Sequence, residues 1–385
     1  MKLVHTADWQ IGMKAAHTGT AASRVREARL DAARNVIGLA RERGADLLIV
    51  AGDTFEDNGV DRLLVQKIAD ILASFPGQVI VIPGNHDPLV PGSVWEHPAW
   101  RSASTRNVRV ALGEEPIEVP GGWILPCPAR EKHSASDPTA WIARAAASDG
   151  RGNAIRLGVA HGTVEGVRQD EPDYPIPRDA AQRGKLDYLA LGHWHSTAVY
   201  SGTDGAQRMA YSGTHETTKF GERDSGNALL VEISAPGAPP RLTPLRTGSL
   251  SWITLDSVSR GPGDVARVRQ EVEAMEAGER VMLEVQLEGV LHPGDGAELE
   301  RLEEILAARF LHGRLDRSHL ILAPADEAWL ERLPPGPLRE AAARLRDLAN
   351  PAFHGPRPEG ATAETARAAL LELYALCESL EEALP

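Results

Sequence analysis

Five short polar clusters, each placed directly after an apolar run, constrain the fold of this chain more than any other feature of its sequence. In chain order the clusters are Asp8-Trp9-Gln10, Gly52-Asp53, Gly84-Asn85-His86-Asp87, His161-Gly162 and Gly192-His193-Trp194-His195. The apolar runs have the length and composition of β-strands, and polar side chains beyond the carboxyl ends of strands in an α/β sheet gather at one edge. The sequence therefore predicts that Asp, Asn and His side chains from distant parts of the chain meet.

The first 82 residues alternate between strand-like and helix-like patterns. Strands and helices are predicted, in turn, over residues 1–7, 23–43, 46–51, 60–75 and 78–82. The run at 46–51 is apolar at nearly every position, which is typical of a strand covered on both faces. This β-α-β-α-β order predicts an α/β fold whose sheet begins with mainly parallel strands.

The rest of the chain is less regular and suggests about two domains, as its length of 385 residues also does. Residues 88–150 are predicted to be irregular apart from a helix near 138–148. Further strands are predicted at 155–160 and 186–191, followed by hairpin-like strands at 198–201, 207–211 and 228–233. A break near 247–249 separates this part from a small α+β domain, and helices are predicted in the tail at 338–348 and 362–380.

The clusters contain a set of side chains suited to binding divalent metals. Hard oxygen ligands mixed with imidazoles suit Mn²⁺, Fe²⁺ or Zn²⁺ better than Ca²⁺ or Mg²⁺ alone. A carboxylate shared by two cations offsets their repulsion at a spacing of about 3.5–4 Å, and Asp53 is the natural bridge. Taken singly, each cluster also fits an ordinary turn, a helix cap or a hydrogen-bonded core histidine. The five together favour a two-metal site.

The motif set Asp-x-Gln, Gly-Asp, Gly-Asn-His-Asp, His-Gly and Gly-His-x-His resembles that of the calcineurin-like metallophosphoesterases over roughly residues 1–235. The resemblance implies a sandwich of mixed β-sheets flanked by helices, with a small α+β capping domain and a helical C-terminal tail. It assigns a first metal to Asp8, Gln10, Asp53 and His195, and a second metal to Asp53, Asn85, His161 and His193. It also implies that His86 stabilises or protonates the leaving oxygen, with Asp87 orienting its ring.

Gln10 departs from the better-known pattern, in which an imidazole occupies this position. A glutamine carbonyl oxygen is a neutral, harder and weaker ligand than an imidazole nitrogen, so it should lower the affinity for the first metal and favour Mn²⁺ over Zn²⁺. The alternative is that Gln10 only hydrogen-bonds a metal-bound water. We expect an active enzyme with one tightly and one loosely bound metal, most readily Mn²⁺.

Three segments, 5–12, 188–195 and 211–222, resemble double-strand-break repair nucleases of the SbcD type. This resemblance implies a DNA exonuclease or endonuclease that acts in DNA repair and recombination by direct attack of water on phosphorus. It divides the chain into a nuclease domain (1–248), a capping domain (249–330) and a helical tail (331–385). The implied partners are DNA and a coiled-coil ABC-type ATPase of the SbcC kind, for which the tail is the candidate docking segment.

Other functions stay open at this point, because fold does not decide the substrate. The main alternative is a phosphodiesterase or phosphatase acting on small nucleotides, and a second is a non-catalytic scaffold for a DNA-end complex. The tail helices could instead cover their own capping domain. The sequence also leaves a homodimer open.

Charge and composition say more about where the protein is expected to act than about its substrate. Of the net charge of −13, residues 251–385 contribute −11, from 25 acidic and 14 basic residues; an acidic chain neither supports nor excludes a DNA substrate. No apolar run approaches the roughly 20 residues needed to span a bilayer, and the N-terminus enters a strand without a signal-peptide layout. Cys127 and Cys377 are expected to be free thiols of a cytoplasmic protein.

Overall fold

The computed structural model describes residues 1–104, 106–147, 154–166, 173–202, 204–276, 278–324 and 326–382. Position 148 of the helix predicted near 138–148 and residues 383–385 of the predicted tail lie outside these ranges. The chain forms two compact units, Met1–Leu250 and Ser251–Pro385.

The first unit contains two six-stranded β-sheets. Its strands in chain order are β1 Lys2–Thr6, β2 Leu47–Ala51, β3 Gln78–Ile82, β4 Val108–Val110, β5 Ile117–Val119, β6 Gly122–Cys127, β7 Ile155–His161, β8 Tyr188–Gly192, β9 Ala198–Tyr200, β10 Met209–Tyr211, β11 Asn227–Glu232 and β12 Arg241–Arg246. The strand order is β12-β11-β1-β2-β3-β4 in the first sheet and β5-β6-β7-β8-β10-β9 in the second. Strands β1 to β4 pair in parallel, as do β6, β7, β8 and β10, whereas the outer strands pair antiparallel.

Helices cover the outer faces of the two sheets. In chain order they are α1 Ala22–Glu42, α2 Arg62–Ala73, α3 Pro98–Ser104, α4 Ala140–Ala147 and α5 Ala180–Arg183, with short 3-10 helices at Ala16–Ala21 and Val94–Glu96. Helix α2 begins where the Asp61 side chain accepts a hydrogen bond of 2.7 Å from the N–H of Leu63, a common N-cap. Helix α1 is followed by Gly44 at φ 62°, as the glycine in the sequence predicted.

Alternating side chains explain why the central strands are apolar throughout. In β2, Leu47 and Ile49 pack into the core between the two sheets, whereas Leu48 and Val50 pack against α1 and α2. The outer face of the second sheet packs in the same way against Ile142 of α4. The result is a four-layer α-β-β-α arrangement, which confirms the predicted sandwich of mixed sheets flanked by helices.

Two parts of the first unit differ from the sequence interpretation. Residues 88–150 contain α3, β4, β5 and β6 besides the predicted helix; these elements are short, and β6 contains Pro126, so their periodicity is weak. The strand predicted at 228–233 does not extend the hairpin of β9 and β10. As β11 it instead crosses to the first sheet, where it lies between β1 and β12.

The second unit alternates strands and helices before its helical tail. Its elements are β13 Ser251–Ser259, α6 Asp264–Ala274, β14 Gly278–Leu291, α7 Gly296–Arg309, β15 Phe310–Asp316, β16 Leu320–Leu322, α8 Trp329–Arg332, α9 Pro337–Ala349 and α10 Ala363–Glu382. The other three strands pair in parallel with β14, and α6 and α7 pack apolar faces on the sheet. The assignment of 249–330 as a cap and 331–385 as a docking tail stays a prediction.

Two simpler expectations concern the thiols and the membrane. Among the residues that the structure describes, Cys127 and Cys377 form no disulfide; the first is buried and the second half-buried. Among the helices of the described ranges, none combines the length and the apolar character that a membrane span requires.

Candidate metal centre

The structure brings the five polar clusters together at the seam between the two sheets. The loops after β1 and β2 run side by side, since the N–H of Asp8 donates to Gly52 O (3.2 Å) and that of Gln10 to Asp53 O (2.9 Å). The second sheet joins them because the N–H of His193 donates to both carboxylate oxygens of Asp8, at 2.9 and 3.2 Å. The clusters thus meet between two sheets rather than along the edge of one.

Four residues of the clusters have a backbone conformation that non-glycine residues rarely adopt. The φ angles are 55° at Asp8, 39° at Gln10, 49° at Asp53 and 105° at His193. Such conformations cost roughly 1–3 kcal/mol each and persist where the surrounding structure enforces them, often at functional sites. Strain at four predicted ligand positions is therefore consistent with selection for a binding geometry.

Close approach of the loops explains two of the motif glycines. A Cβ atom on Gly52, which has φ 91°, would overlap the ring of His161, and one on Gly84 would overlap the carboxylate and the N–H of Asp53. Glycine is the residue that allows this proximity. The Gly-Asp and Gly-Asn-His-Asp motifs are thus packing requirements as well as ligand motifs.

Asp8, Asp53 and His161 form the buried centre of the site. One ligand atom from each lies within 4.8 Å of the others. His161 Nδ1 donates to Ala51 O at 2.9 Å, so its Nε2 faces the site, 3.3 Å from Asp53 Oδ2 and 2.9 Å from Asn85 Oδ1. Carboxylate, amide and imidazole atoms at these separations fit a divalent metal.

Asn85 links the imidazoles of the two neighbouring strand ends. Its Oδ1 also lies 3.1 Å from Nδ1 of His193, and the rings of His161 and His193 are 5.3 Å apart and nearly perpendicular. His161 therefore presents Nε2 to the site, whereas His193 presents Nδ1. The residues that the resemblance assigns to the second metal, including Asp53, lie together.

The buried groups of the site shift one another's pKa values. Burial raises the pKa of Asp8. Burial also acts to raise the pKa of Asp53, but the adjacent His161 ring lowers it to about 2. Burial opposes the charge on His161, yet Asp53 raises the pKa of His161 to about 9. Without metal, protonated His161 thus balances the carboxylates, and a metal that binds there displaces that proton.

Two of the residues predicted for the first metal, Gln10 and His195, lie in the loops that follow β1 and β8. Gln10 is only 6% exposed, and within the part of the chain that the structure describes its side-chain amide makes no hydrogen bond. His195 Nδ1 donates to Glu222 Oε1 at 2.7 Å. Burial acts to lower the pKa of His195, but the hydrogen bond to Glu222 raises it.

His86 contacts Asp53 through its main chain, whereas its ring contacts the main chain of Glu56. Its N–H donates to Asp53 Oδ1 (2.9 Å), and its half-buried ring donates from Nδ1 to Glu56 O (3.0 Å). The Asp87 carboxylate accepts the N–H groups of Phe55 (2.9 Å) and Gly84 (2.7 Å). The expectation that Asp87 orients the His86 ring is therefore corrected: the Glu56 carbonyl orients it, and Asp87 fixes the loop.

Two contributors to the site were missed in the sequence. Glu222 contacts His195, as described above. Arg29 is 1% exposed and donates to main-chain oxygens of Trp9 (3.0 Å) and Glu216 (2.9 Å), so it ties the first loop to the segment after β10. A charged residue among the apolar positions of α1 was the available signal for Arg29. Glu222 ends the segment 211–222 that the resemblance singles out, but spacing along the chain did not indicate its contact with His195.

Comparison with known proteins shows which family has a sequence similar to the part of the chain that forms this site. The calcineurin-like phosphoesterase family matches residues 1–197, which is half of the chain and includes all five clusters. YhaO of Bacillus subtilis (strain 168), described as an uncharacterized metallophosphoesterase, is 26% identical over 220 residues, covering 55% of this chain and 51% of YhaO. A subunit of the nuclease SbcCD from the same organism is 24% identical over 276 residues, covering 62% of this chain and 67% of that protein.

The chain thus spans about half the length of YhaO and two thirds of that of the SbcCD subunit. Among solved structures, TT1561 of Thermus thermophilus is 12% identical, with 64% of this chain and 98% of that chain covered and a TM-score of 0.43. The assignment rests on the match over residues 1–197. This chain belongs to the calcineurin-like phosphoesterase family.

Proposed function

We propose that this protein is a DNA nuclease that hydrolyses phosphodiester bonds as an exonuclease or endonuclease in DNA repair. The observation that carries the proposal is the convergence of buried Asp8, Asp53 and His161 next to His86, on the family's strand ends. Similarity to a protein named as a nuclease subunit supports DNA as the substrate.

Seven side chains are proposed to hold two divalent ions. The first ion is assigned to Asp8, Gln10, Asp53 and His195, and the second to Asp53, Asn85, His161 and His193. Two ions bound there would lower the pKa of an attacking water and stabilise charge on the phosphate. The oxygen ligand from Gln10 supports Mn²⁺ over Zn²⁺.

His86 is proposed to act on the leaving oxygen. A carbonyl oxygen only accepts hydrogen bonds, so the 3.0 Å contact with Glu56 O places a hydrogen on Nδ1. In the imidazolium form Nε2 also carries a proton, which it would give to the departing sugar oxygen, and the ring would be left as the neutral Nδ1–H form. The N–H bond to Asp53 holds this residue beside the predicted metals.

Two exposed lysines, on the loops after β1 and β10, support a polyanionic substrate despite the acidic chain. Exposed Lys14 lies in the loop after β1, and exposed Lys219 lies in the loop after β10. The two loops are joined by a 3.1 Å contact between His17 Nε2 and Thr218 O. Basic side chains at such positions bind a phosphate backbone, and a small nucleotide would use few of them.

We also propose a coiled-coil ABC-type ATPase of the SbcC kind as a partner, since one relative is named as a subunit of SbcCD. Leu338 of α9 and Leu376 of α10 are 43% and 62% exposed and are candidate contacts. Copurification of the ATPase with the full chain, and its loss on removal of residues 335–385, is the expected result. A homodimer and a cytoplasmic location stay predictions.

The decisive assay compares three substrates in the presence of Mn²⁺ or EDTA. Free-ended linear duplex DNA, end-blocked DNA and bis(p-nitrophenyl) phosphate are incubated with the full chain, and Asp53→Asn serves as the control for contaminating nucleases. We expect Mn²⁺-dependent loss of duplex DNA. Cleavage of the small ester alone would favour the small-nucleotide alternative, and no hydrolysis by the metal-loaded protein would favour the scaffold.

A further inference from the structure

Glu222 is a buried carboxylate that contacts Nδ1 of His195, one of the predicted metal ligands. Its side chain is 4% exposed, and its Oε1 accepts from His195 Nδ1 at 2.7 Å. The N–H of Thr218 donates to Oε2 at 2.8 Å, and the hydroxyl of Thr218 donates to Oε1. Both carboxylate oxygens are therefore fixed, and one of them is aimed at the imidazole.

This contact decides which nitrogen of His195 can bind a metal. A carboxylate accepts, so Nδ1 of His195 carries the hydrogen and Nε2 keeps its lone pair. The ring of His193 is turned differently, because its Nδ1 lies 3.1 Å from Oδ1 of Asn85, a residue assigned to the second metal. The two histidines of one motif are thus held in different orientations by different neighbours.

We propose that Glu222 is a positioning residue that holds Nε2 of His195 toward the first metal and strengthens that ligand. Carboxylates that accept from a ligating imidazole fix its tautomer and raise its basicity. The effect matters most at a metal whose neighbouring ligand, Gln10, is weak. The inference rests on the proposed two-metal function and names a determinant of it outside the five polar clusters.

Glu216 offers a matched control in the same loop. It is also a buried glutamate, but its carboxylate accepts from main-chain N–H groups, those of Ser249 at 2.6 Å and Leu250 at 3.3 Å. Substitution of a buried glutamate with a purely structural role, such as Glu216, should leave the metal affinity unchanged. Substitution of a glutamate that supports a metal ligand should lower it.

The experiment measures Mn²⁺ binding to the full chain by calorimetric titration in wild type, Glu222→Gln and Glu216→Gln. We expect Glu222→Gln to weaken one of two Mn²⁺ sites by about 10–100-fold, and Glu216→Gln to leave both affinities near those of wild type. Gln10→His, placed in the Glu222→Gln background, should restore much of the lost affinity because both residues serve the same metal.

A direct measurement on wild type does not depend on how well the variants fold. Long-range ¹H–¹⁵N NMR on histidine-labelled protein should show His195 as the Nδ1–H tautomer. An Nε2–H tautomer, equal affinities in wild type and Glu222→Gln, or equal losses in both variants would overturn the role of Glu222. Wild type that binds no Mn²⁺ would instead overturn the proposed function itself.

Discussion

At the scale of single residues, His86 is proposed to act in catalysis without binding a metal. Its ring contacts the Glu56 carbonyl, and only its main-chain N–H contacts Asp53. We expect His86→Ala to lower kcat by about 10²–10⁴-fold, the usual contribution of a general acid, while Mn²⁺ content stays unchanged. Steady-state kinetics with metal analysis of the same samples tests this; a variant that keeps its rate would contradict the assignment.

The charge pair of Asp53 and His161 makes the stability of the metal-free protein depend on pH. Asp53 raises the pKa of His161 from 6.5 to about 9, so protonation of this ring stabilises the fold below pH 6.5 and that stabilisation is lost as pH rises toward 9. Burial, with the charge of Asp53, raises the pKa of Asp87 to about 7, so its titration is largely complete above that pH.

We therefore expect the Tm of EDTA-treated protein to fall between pH 7 and 9, the window bounded by these two pKa values. Saturating Mn²⁺ should remove the fall, because the ligand form of His161 is neutral. Thermal denaturation at fixed ionic strength provides the measurement. A Tm that stays constant or rises in this window without metal would contradict the ion pair.

At the scale of elements, the loop glycines decide whether the strand ends can meet. A Cβ on Gly84 would overlap Asp53, whereas a Cβ on Gly38, within α1, meets nothing within 4 Å. We expect Gly84→Ala to lower the free energy of unfolding by about 1–3 kcal/mol through overpacking and to weaken metal binding. Gly38→Ala should raise that free energy by about 0.5–1 kcal/mol because alanine favours a helix.

Urea denaturation of both variants, with Mn²⁺ titration of each, gives the comparison. Because the two variants are expected to change the free energy of unfolding in opposite directions, a general effect of an added methyl group would not explain both results. If Gly84→Ala were as stable as wild type and bound metal equally, the close approach of the two loops would be wrong.

The elements that could be predicted are those with long and uniform patterns. Strand β2 is apolar at every position because both of its faces are buried, and α1 shows helical spacing over 21 residues. Strands β4 and β5 have three residues each, too few to show a period. That β11 belongs to the first sheet depends on pairing with β1, which no local pattern encodes.

The candidate site also contains residues that local patterns indicate and residues that only the tertiary fold brings into contact. The predicted ligands stand in motifs at strand ends, so residue type and position were enough to propose them, and their role as ligands stays a prediction. The partners that orient them come from other loops: Glu222 lies 27 residues from His195, and Arg29 lies 187 residues from Glu216. Such contacts depend on the tertiary fold, which is why the partner of the His86 ring was also mispredicted.

At the scale of the whole molecule, the predicted ligands all lie in one of the two units. Each unit has its own apolar cores. A ligand at 100 times its Kd raises the free energy of unfolding by about 2.7 kcal/mol. Mn²⁺ bound by the predicted ligands would stabilise the unit Met1–Leu250 in this way. We expect calorimetry to show two transitions, of which Mn²⁺ raises only one.

Hydrogen exchange of the same samples would assign the transitions to their units. Protection gained on Mn²⁺ addition should concentrate in residues 1–250. A single transition that shifts as a whole would show that the units unfold together.

The pairing of β1 with β11 has a consequence for how the protein is made. Leu3 lies opposite Val231 and His5 opposite Leu229, so one neighbour of the first strand is encoded more than 220 residues later. At roughly 5–20 residues per second, a ribosome needs on the order of 10–45 s to reach it. During that time one edge of β1 is open to other chains. Since the predicted ligands themselves extend from Asp8 to His195, we expect metal to bind only after most of the first unit has been synthesised.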